Sequence, residues 1–169
     1  MTAVVRPSAI AAIHAFGFVA RCTTAAMLAY AAADALGLGH PVWAVVSALI
    51  VSQQTVRETR QSYLWRAAGT GMGATVALAA ALCLMPDPAR PLPATGAAVT
   101  VCAAVARRWP SMRVCLWTAP LVILTANAEH SIAATALQRG GEVLLGGLVG
   151  AAIHLVLEHA VVRPLANRP

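Results

Sequence analysis

The sequence predicts an all-α integral membrane protein with six short transmembrane helices, arranged as a 3+3 inverted repeat with both termini in the cytoplasm. Of its 169 residues, 59% are hydrophobic and 11% are charged, whereas about a quarter of the residues in soluble domains are charged. The hydrophobic residues form long uncharged runs between short links that contain arginine or proline. The arginines concentrate in alternate links, as expected of a chain that crosses a membrane several times.

The N-terminal segment, residues 1–20, is expected to lie in the cytoplasm or at the membrane surface. Residues 8–18 fit either a short amphipathic helix on the inner surface or an extension of the first span. No small-residue cleavage site follows them, so we predict no signal peptide that is removed.

The expected membrane unit, residues 21–159, contains six uncharged runs, at 22–33, 40–56, 67–86, 91–106, 114–128 and 143–157. Several runs have only about 15 to 17 residues, fewer than the roughly 20 that cross a hydrocarbon core of about 30 Å. These helices must include flanking polar residues or be interrupted, and interrupted helices usually border a cavity. Residues 160–169 form a short cytoplasmic tail, so residues 1–169 are predicted to be a single transmembrane domain.

The orientation follows from the arginines, because basic residues are retained on the cytoplasmic side during insertion. With the N-terminus inside, ten of the twelve arginines are cytoplasmic and only Arg90 and Arg139 lie outside. Trp65 and Trp109 adjoin inner arginines, and Trp43 lies near the outer end of its run, as interfacial anchors do. We therefore predict a multi-pass protein of the inner (plasma) membrane.

Neither a cofactor nor nucleic-acid binding is predicted. The net charge of +6 comes from arginine alone, and these arginines mark the membrane surface rather than a nucleic-acid site. The four cysteines show no metal-ligand spacing and are expected to be buried small apolar residues; they are Cys22, Cys83, Cys102 and Cys115.

His154, Glu158 and His159 cluster near the inner end of the sixth run. They fit either a weak metal site or, more commonly for such spacing, a titrating surface cluster. Because the pattern does not provide a Ser/His/Asp arrangement either, we predict that the chain is not an enzyme.

An internal repeat appears when the sequence is shifted by 73 residues against itself. The shift pairs Arg66 with Arg139, Gly73 with Gly146 and Gln54 with Asn127; Trp43 and Trp117 miss alignment by one position. Two units of three spans each would cross the membrane in opposite directions, which is typical of transporters. The alternative is that Ala-, Val- and Gly-rich helices resemble each other by composition.

Four glycines fall at helix-packing spacing within the repeat. They form the pairs Gly69-xxx-Gly73 and Gly146-xxx-Gly150. Small residues four apart let membrane helices approach closely, and we assign the glycines this packing role.

Three motifs together indicate a family. They are His40-Pro41-Val42-Trp43-Ala44-Val45-Val46-Ser47, Gln53-Gln54-Thr55-Val56 and Arg66-Ala67-Ala68-Gly69-Thr70-xx-Gly73. The series resembles the membrane half of the fusaric-acid-resistance proteins, or aromatic acid exporters, and is similar to the membrane region of aluminium-activated malate transporters. The resemblance extends over about residues 21–157 and includes a later element around Arg139, Glu142 and Gly146.

The resemblance implies export of small organic anions, aromatic carboxylates in particular. The exporters resemble two such units in one chain, each with a cytoplasmic domain, whereas this sequence has one unit, so the resemblance implies a homodimer. Two departures from the family pattern are Arg57-Glu58-Thr59 after the second motif and Gln53-Gln54 in place of a Gln-Pro pair.

Polar residues expected within the bilayer are candidate transport residues, because each needs a partner or a water-filled cavity. Arg66 and Arg139 could each bind a carboxylate through a bidentate pair. The alternative for Arg66 is an anchor at the inner surface, and Arg139 also has a nearby acid in Glu142. We expect Gln53, Gln54, Thr70 and Asn127 to line a polar route for the substrate, although amides often only bond across helices.

Glu142 is the acid expected closest to the membrane core, where it could exchange a proton during transport. The alternative is a capping role at the N-terminus of the sixth helix. The leading functional prediction is therefore an exporter of organic anions. The other predictions are a passive anion channel and a non-transporting scaffold or subunit of a larger complex.

Overall fold

The computed structural model describes the backbone of residues 7–126 and 131–162, and side chains for residues 15–126 and 131–160. These residues form six α-helices and no β-strand, which confirms the all-α prediction. The helices are α1 (Pro7–Ala35), α2 (Val42–Val51), α3 (Val56–Leu84), α4 (Leu92–Arg108), α5 (Cys115–Thr125) and α6 (Ile132–Leu157). A 3₁₀ turn at Pro110–Met112 precedes α5, and a π-helical turn at Glu158–Val162 follows α6.

Three helical segments are long and apolar enough to cross a membrane. They are Ala15–Ala35, Val56–Leu84 and Ile132–Ala160; the apolar segments Val42–Val51 and Pro110–Thr125 are shorter. At a rise of 1.5 Å per residue, α2 is about 15 Å long, which is about half of a hydrocarbon core. The chain is therefore a multi-pass membrane protein with long and short helices rather than six helices of similar length.

The first helix is continuous. α1 runs from Pro7 to Ala35, so residues 8–18 extend the first span and do not form a separate surface helix. It ends at Ala35, and Gly37, two residues later, has a positive φ of 66° that a glycine adopts without a steric penalty.

α3 and α6 both begin well before the predicted spans. α3 starts at Val56 because Thr55 and Glu58 form a capping box, in which the Thr55 hydroxyl accepts the Glu58 N–H at 3.2 Å. α6 starts at Ile132, where the Ser131 hydroxyl accepts the Ala134 N–H at 3.2 Å. The predicted spans start too late, at 67 and 143, because an uncharged run ends at any charged residue, and both helices contain charged residues before those positions.

These boundaries place three charged residues inside helices. Arg66 and Arg139 do not begin their helices, and Glu142 lies roughly three turns after the start of α6. The capping role considered for Glu142 is therefore wrong.

α3 and α6 pack against each other and form the central pair of the fold. α6 also contacts α1 and α2, which pair with each other, while α3 contacts α4 and α5, which pair likewise. The buried core is built largely from alanine, with cysteine and valine added around α4 and α5. Such small side chains allow close approach of helices in a membrane.

Each predicted glycine pair faces one of the short helices. A Cβ at Gly146 would overlap the Ala44 carbonyl of α2, and one at Gly150 would lie 2.7 Å from the Ala48 carbonyl oxygen. A Cβ at Gly69 or Gly73 would meet α5 and the residues before it, with the Thr118 Cβ 2.7 Å from the one at Gly73. The α6 pair therefore receives α2, and the α3 pair receives α5.

The cysteines differ in their surroundings. Cys102 and Cys115 are buried, and the Cys115 thiol lies 3.5 Å from the Cys102 carbonyl oxygen. Cys22 is half-buried and Cys83 is exposed near the end of α3, so the expectation that all four are buried is wrong.

Candidate functional site

A small cavity lies at the centre of the fold, between α2, α3, α5 and α6. Its volume is about 10 Å³, which is space for about one water molecule. α3 contributes two polar side chains one turn apart, Arg66 and Thr70, and α6 contributes Arg139. The lining residues are Trp43, Arg66, Thr70, Val114, Trp117, Thr118, Leu121, Arg139 and Val143.

Arg66 is held in place by a hydrogen-bond chain across three helices. Its side chain is buried, with 3% of the residue surface exposed. The Arg66 Nε donates to the Ser47 hydroxyl of α2 at 2.9 Å, and this hydroxyl donates to the Val143 carbonyl of α6 at 2.6 Å. The anchoring role at the inner surface that was the alternative for Arg66 does not fit this burial.

Arg139 approaches the same cavity from α6. It is 5% exposed, and its guanidinium carbon lies 3.9 Å from the centre of the Trp43 ring. A cation over a tryptophan face is stabilised by the ring quadrupole, more strongly when both groups are shielded from water. Trp43 is therefore a partner of Arg139 within the fold rather than only an interfacial anchor.

Several residues with unsatisfied buried donors line this cavity. Among the described side chains, seven buried polar atoms have no hydrogen-bond partner. Three of them belong to cavity residues: Arg66 Nη1, Arg139 Nη1 and Thr70 Oγ1. Buried polar groups are nearly always bonded, and an unpaired one costs about 1–3 kcal/mol. Two guanidinium groups and one hydroxyl form a set of donors suited to a carboxylate.

Glu142 lies next to Arg139, one turn further along α6. It is 1% exposed, and its Oε1 accepts the His40 backbone N–H at 2.8 Å. The His40 ring is 61% exposed, with its Nδ1 3.9 Å from the same carboxylate oxygen. The second oxygen, Oε2, is buried without a partner. Glu142 thus connects an exposed titratable group in the α1–α2 link with the buried arginine.

A larger polar cavity of about 360 Å³ adjoins the central one. Arg66 and Val114 line both spaces. The other lining residues come from the end of α2, the first turns of α3 and the region before α5; they are Ile50, Gln53, Glu58, Gln61, Ser62, Trp65 and Ser111. We call this space the vestibule.

The predicted amides have different positions. Gln53 lines the vestibule, and its Nε2 donates to the Ile50 carbonyl at 2.7 Å. Gln54 is exposed and lines neither the vestibule nor the central cavity. Asn127 lies outside the described residues.

A second buried polar cluster joins α1, α3 and α6 at the α2–α3 link. Arg21 Nη2 donates to the Gln53 carbonyl at 2.7 Å, and the Gln53 N–H donates to the Thr59 hydroxyl at 3.1 Å. The same hydroxyl is 2.5 Å from His154 Nδ1. His154 is fully buried, so the prediction of a titrating surface cluster is wrong for this residue, although His159 is exposed.

Metal coordination is not provided by the described part of the chain. No group of three or more His, Cys, Asp or Glu side chains there is arranged to hold a metal ion. Two apolar cavities between α3 and its neighbours, of about 850 and 500 Å³, have no charged residue in their described linings.

Sequence reasoning gave no site role to several residues that line the central cavity or bond to Arg66. Trp43 was interpreted as an anchor, Trp117 only as an imperfect repeat match, and Ser47 only as part of a motif. Trp43 and Ser47 are four residues apart in one helix, which places them on the same face of α2. This spacing could have indicated that both side chains face the same neighbouring helices.

A family model described as fusaric acid resistance protein-like matches residues 28–153. The matched range includes every residue of the central cavity and of the vestibule. Comparisons with curated proteins and with solved structures give no match.

Proposed function

Because this chain belongs to the fusaric acid resistance protein-like family, which is a family of membrane transport proteins, we propose that it exports small organic anions through the central cavity. Aromatic carboxylates are the proposed substrate class. Arg66 and Arg139 would bind the carboxylate, and Thr70 would donate a further hydrogen bond.

One observation carries this proposal: three buried donors without partners line one cavity. A carboxylate oxygen accepts from several donors at once, and a guanidinium presents its N–H groups in a geometry that matches a carboxylate. Ionisable groups inside a bilayer are rare and usually mark a substrate path. A bound anion would accept hydrogen bonds from Arg66 Nη1, Arg139 Nη1 and Thr70 Oγ1, and it would offset the positive charge of the two arginines.

The aromatic preference rests on Trp43 and Trp117, which both line the cavity. Indole rings offer flat apolar faces, and aromatic pairs contribute about 0.5–1.5 kcal/mol beyond the burial of their surface. A substrate with a flat ring and one carboxylate would use the rings and the arginines together.

The helix contacts support the proposed inverted repeat. Matching α1, α2 and α3 with α4, α5 and α6 pairs every strong contact with an equivalent one: α2 with α6 corresponds to α5 with α3, and α1 with α6 corresponds to α4 with α3. The two glycine pairs meet the short helices in the same way. In transporters such repeats place the substrate site at their interface near the middle of the membrane.

Orientation, assembly and coupling complete the proposal. The arginine distribution favours cytoplasmic termini and insertion in the inner membrane, and the homodimer rests on the two-unit architecture of the exporters that the sequence resembles. Glu142 is proposed to exchange protons during transport, and its contact with the exposed His40 offers the carboxylate a route to water.

The size of the central cavity favours a carrier over an open channel. A space of about 10 Å³ cannot hold an aromatic acid, so the helices around it must separate when substrate enters. The vestibule would supply the approach from the side of the α2–α3 link, with Arg66 at the boundary.

The test is uptake of labelled 4-hydroxybenzoate into proteoliposomes that contain the purified protein, with and without a pH gradient. We expect Arg66→Gln and Arg139→Gln to reduce uptake at low substrate about tenfold or more, because each removes a charge-assisted hydrogen bond. Arg90→Gln is the matched control, since the Arg90 side chain is exposed and lies far along the chain from the cavity residues. Its uptake should equal that of the unmodified protein.

The outcomes separate the alternatives. Accumulation that depends on the gradient supports a proton-coupled carrier, while equilibration without dependence on the gradient indicates a passive channel. Absence of flux for this and related anions would favour the alternative that the protein is a non-transporting scaffold or subunit. Equal uptake by the two cavity variants and the control would remove the arginines from the site.

A further inference from the structure

The central region contains an unequal number of buried charges. Two arginines, Arg66 and Arg139, line the cavity, and a single carboxylate, Glu142, is buried beside them. The charged or titratable groups that face Glu142 are Arg139 on its own helix and His40 in the α1–α2 link. Arg21, the other buried arginine, belongs to the cluster at the α2–α3 link. With Glu142 ionised, the site therefore has a net charge of one positive unit.

This excess charge determines which ligand is best tolerated. Charges are costly to bury unless opposite charges compensate them. A ligand with one negative charge neutralises the site, whereas a ligand with two leaves one uncompensated negative charge within the membrane. The empty site has one uncompensated positive charge, so it favours a ligand with a single negative charge.

Glu142 acts on the ligand through its charge rather than by contact. Its Oε1 is bonded to the His40 N–H, and the residue is not part of the cavity lining. It lies one turn from Arg139 on α6, close enough to offset part of the field of that guanidinium. We infer that Glu142 sets the valence of the transported anion, restricting the cavity to organic anions with a single negative charge.

This inference rests on the proposed function and adds a specificity residue to it. By the same charge count, a proton on Glu142 and a second negative charge in the cavity favour each other. Neutralising Glu142 permanently should therefore shift selectivity toward dianions.

The experiment compares two ligands of nearly equal shape and different charge, 4-nitrobenzoate with one negative charge and terephthalate with two. Affinities are measured for the purified full-length protein in nanodiscs at neutral pH. The unmodified protein should bind 4-nitrobenzoate at least tenfold more tightly than terephthalate. Glu142→Gln should shift this ratio toward terephthalate by about tenfold or more. The variant lacks the repulsion between the Glu142 carboxylate and the second negative charge of the ligand, which would lie several ångströms apart at intermediate dielectric.

Two variants test whether the shift follows from charge. Glu142→Asp keeps the charge and should keep the ratio of the unmodified protein. Glu58→Gln removes an acid of the vestibule, and glutamine can replace glutamate in a capping box, so this control should also leave the ratio unchanged.

The outcomes distinguish this inference from the proposed function. If both ligands bind and Glu142→Gln leaves their ratio unchanged, the assignment of valence to Glu142 is overturned while anion binding stands. Equal affinities of the unmodified protein for the two ligands also overturn this assignment. This measurement needs no variant, so the inference can be tested even if the Glu142 variants do not fold. If neither ligand binds any form of the protein, the proposed function is overturned as well.

Discussion

Gly146→Ala is the substitution that most directly tests the packing of α2 on α6. The added Cβ would overlap the Ala44 carbonyl and would lie 2.6 Å from the Ala44 Cα. These are backbone atoms, so no side-chain rotation can relieve the contact, and α2 must move away as a unit. Gly141, earlier in the same helix, offers a matched control because nothing lies within 4 Å of a Cβ built there.

The two substitutions should have effects of opposite sign. Overpacking a close contact costs about 1–3 kcal/mol, while replacing glycine by alanine in a helix gains about 0.8–1 kcal/mol. Gly146→Ala combines the cost with the gain and should lower the free energy of unfolding by up to about 2 kcal/mol, from the difference of these terms. Gly141→Ala has only the gain and should raise the free energy of unfolding by up to about 1 kcal/mol.

The measurement is reversible unfolding in mixed detergent micelles, followed by tryptophan fluorescence, for the two variants and the unmodified protein. Because Trp43 lies in α2, displacement of this helix should also change the native fluorescence of Gly146→Ala. A Gly146→Ala protein as stable as Gly141→Ala would refute the close α2–α6 contact. An equal loss of stability in both would indicate that alanine is unfavourable anywhere in α6.

Two further predictions concern the polar chain and the orientation. Ser47→Ala should lower the free energy of unfolding by about 1–2 kcal/mol. It removes two hydrogen bonds that join three helices, and each such bond in a membrane contributes about 0.6–1 kcal/mol. Thr75→Ala, whose exposed hydroxyl bonds only within α3, should have a smaller effect in the same unfolding assay. Cys83 is exposed near the C-terminal end of α3, which the proposed orientation places outside the cell. It should therefore react with a membrane-impermeant maleimide added to intact cells or to spheroplasts, and loss of this label in Cys83→Ser identifies the site. Labelling of Cys83 only after lysis would contradict cytoplasmic termini.

The all-α membrane fold was predictable because composition and uncharged runs depend on the bilayer itself. Few charges and long apolar stretches are required of any chain whose helices contact lipid. The start of α3 was also predictable from the sequence, since Thr55 and Glu58 have the spacing of a capping box. The start of α6 had a weaker signal, a single serine at residue 131.

The helix boundaries near Arg66, Arg139 and Glu142 could not be predicted from uncharged runs. That approach assumes that charged side chains lie in water, whereas these three are buried against α2, the cavity and the α1–α2 link. A charge is tolerated there because Ser47, Trp43 and the His40 N–H supply compensating contacts. These partners are distant in sequence from the charged residues, so the pattern of charged and uncharged residues within one helix does not identify them.

The central site is assembled from both halves of the proposed repeat, which explains why comparing the two halves of the sequence found its arginines but not the aromatic partner of Arg139. α2 of the first half packs on α6 of the second, and Trp43 accordingly lies beneath Arg139 rather than beside Arg66. Ser47, on the same face of α2, reaches back to Arg66. Because α2 is only ten residues long, one short helix contacts both arginines at once. A movement of α2 would therefore alter both arginines together, which would couple the two groups that we propose to bind the anion.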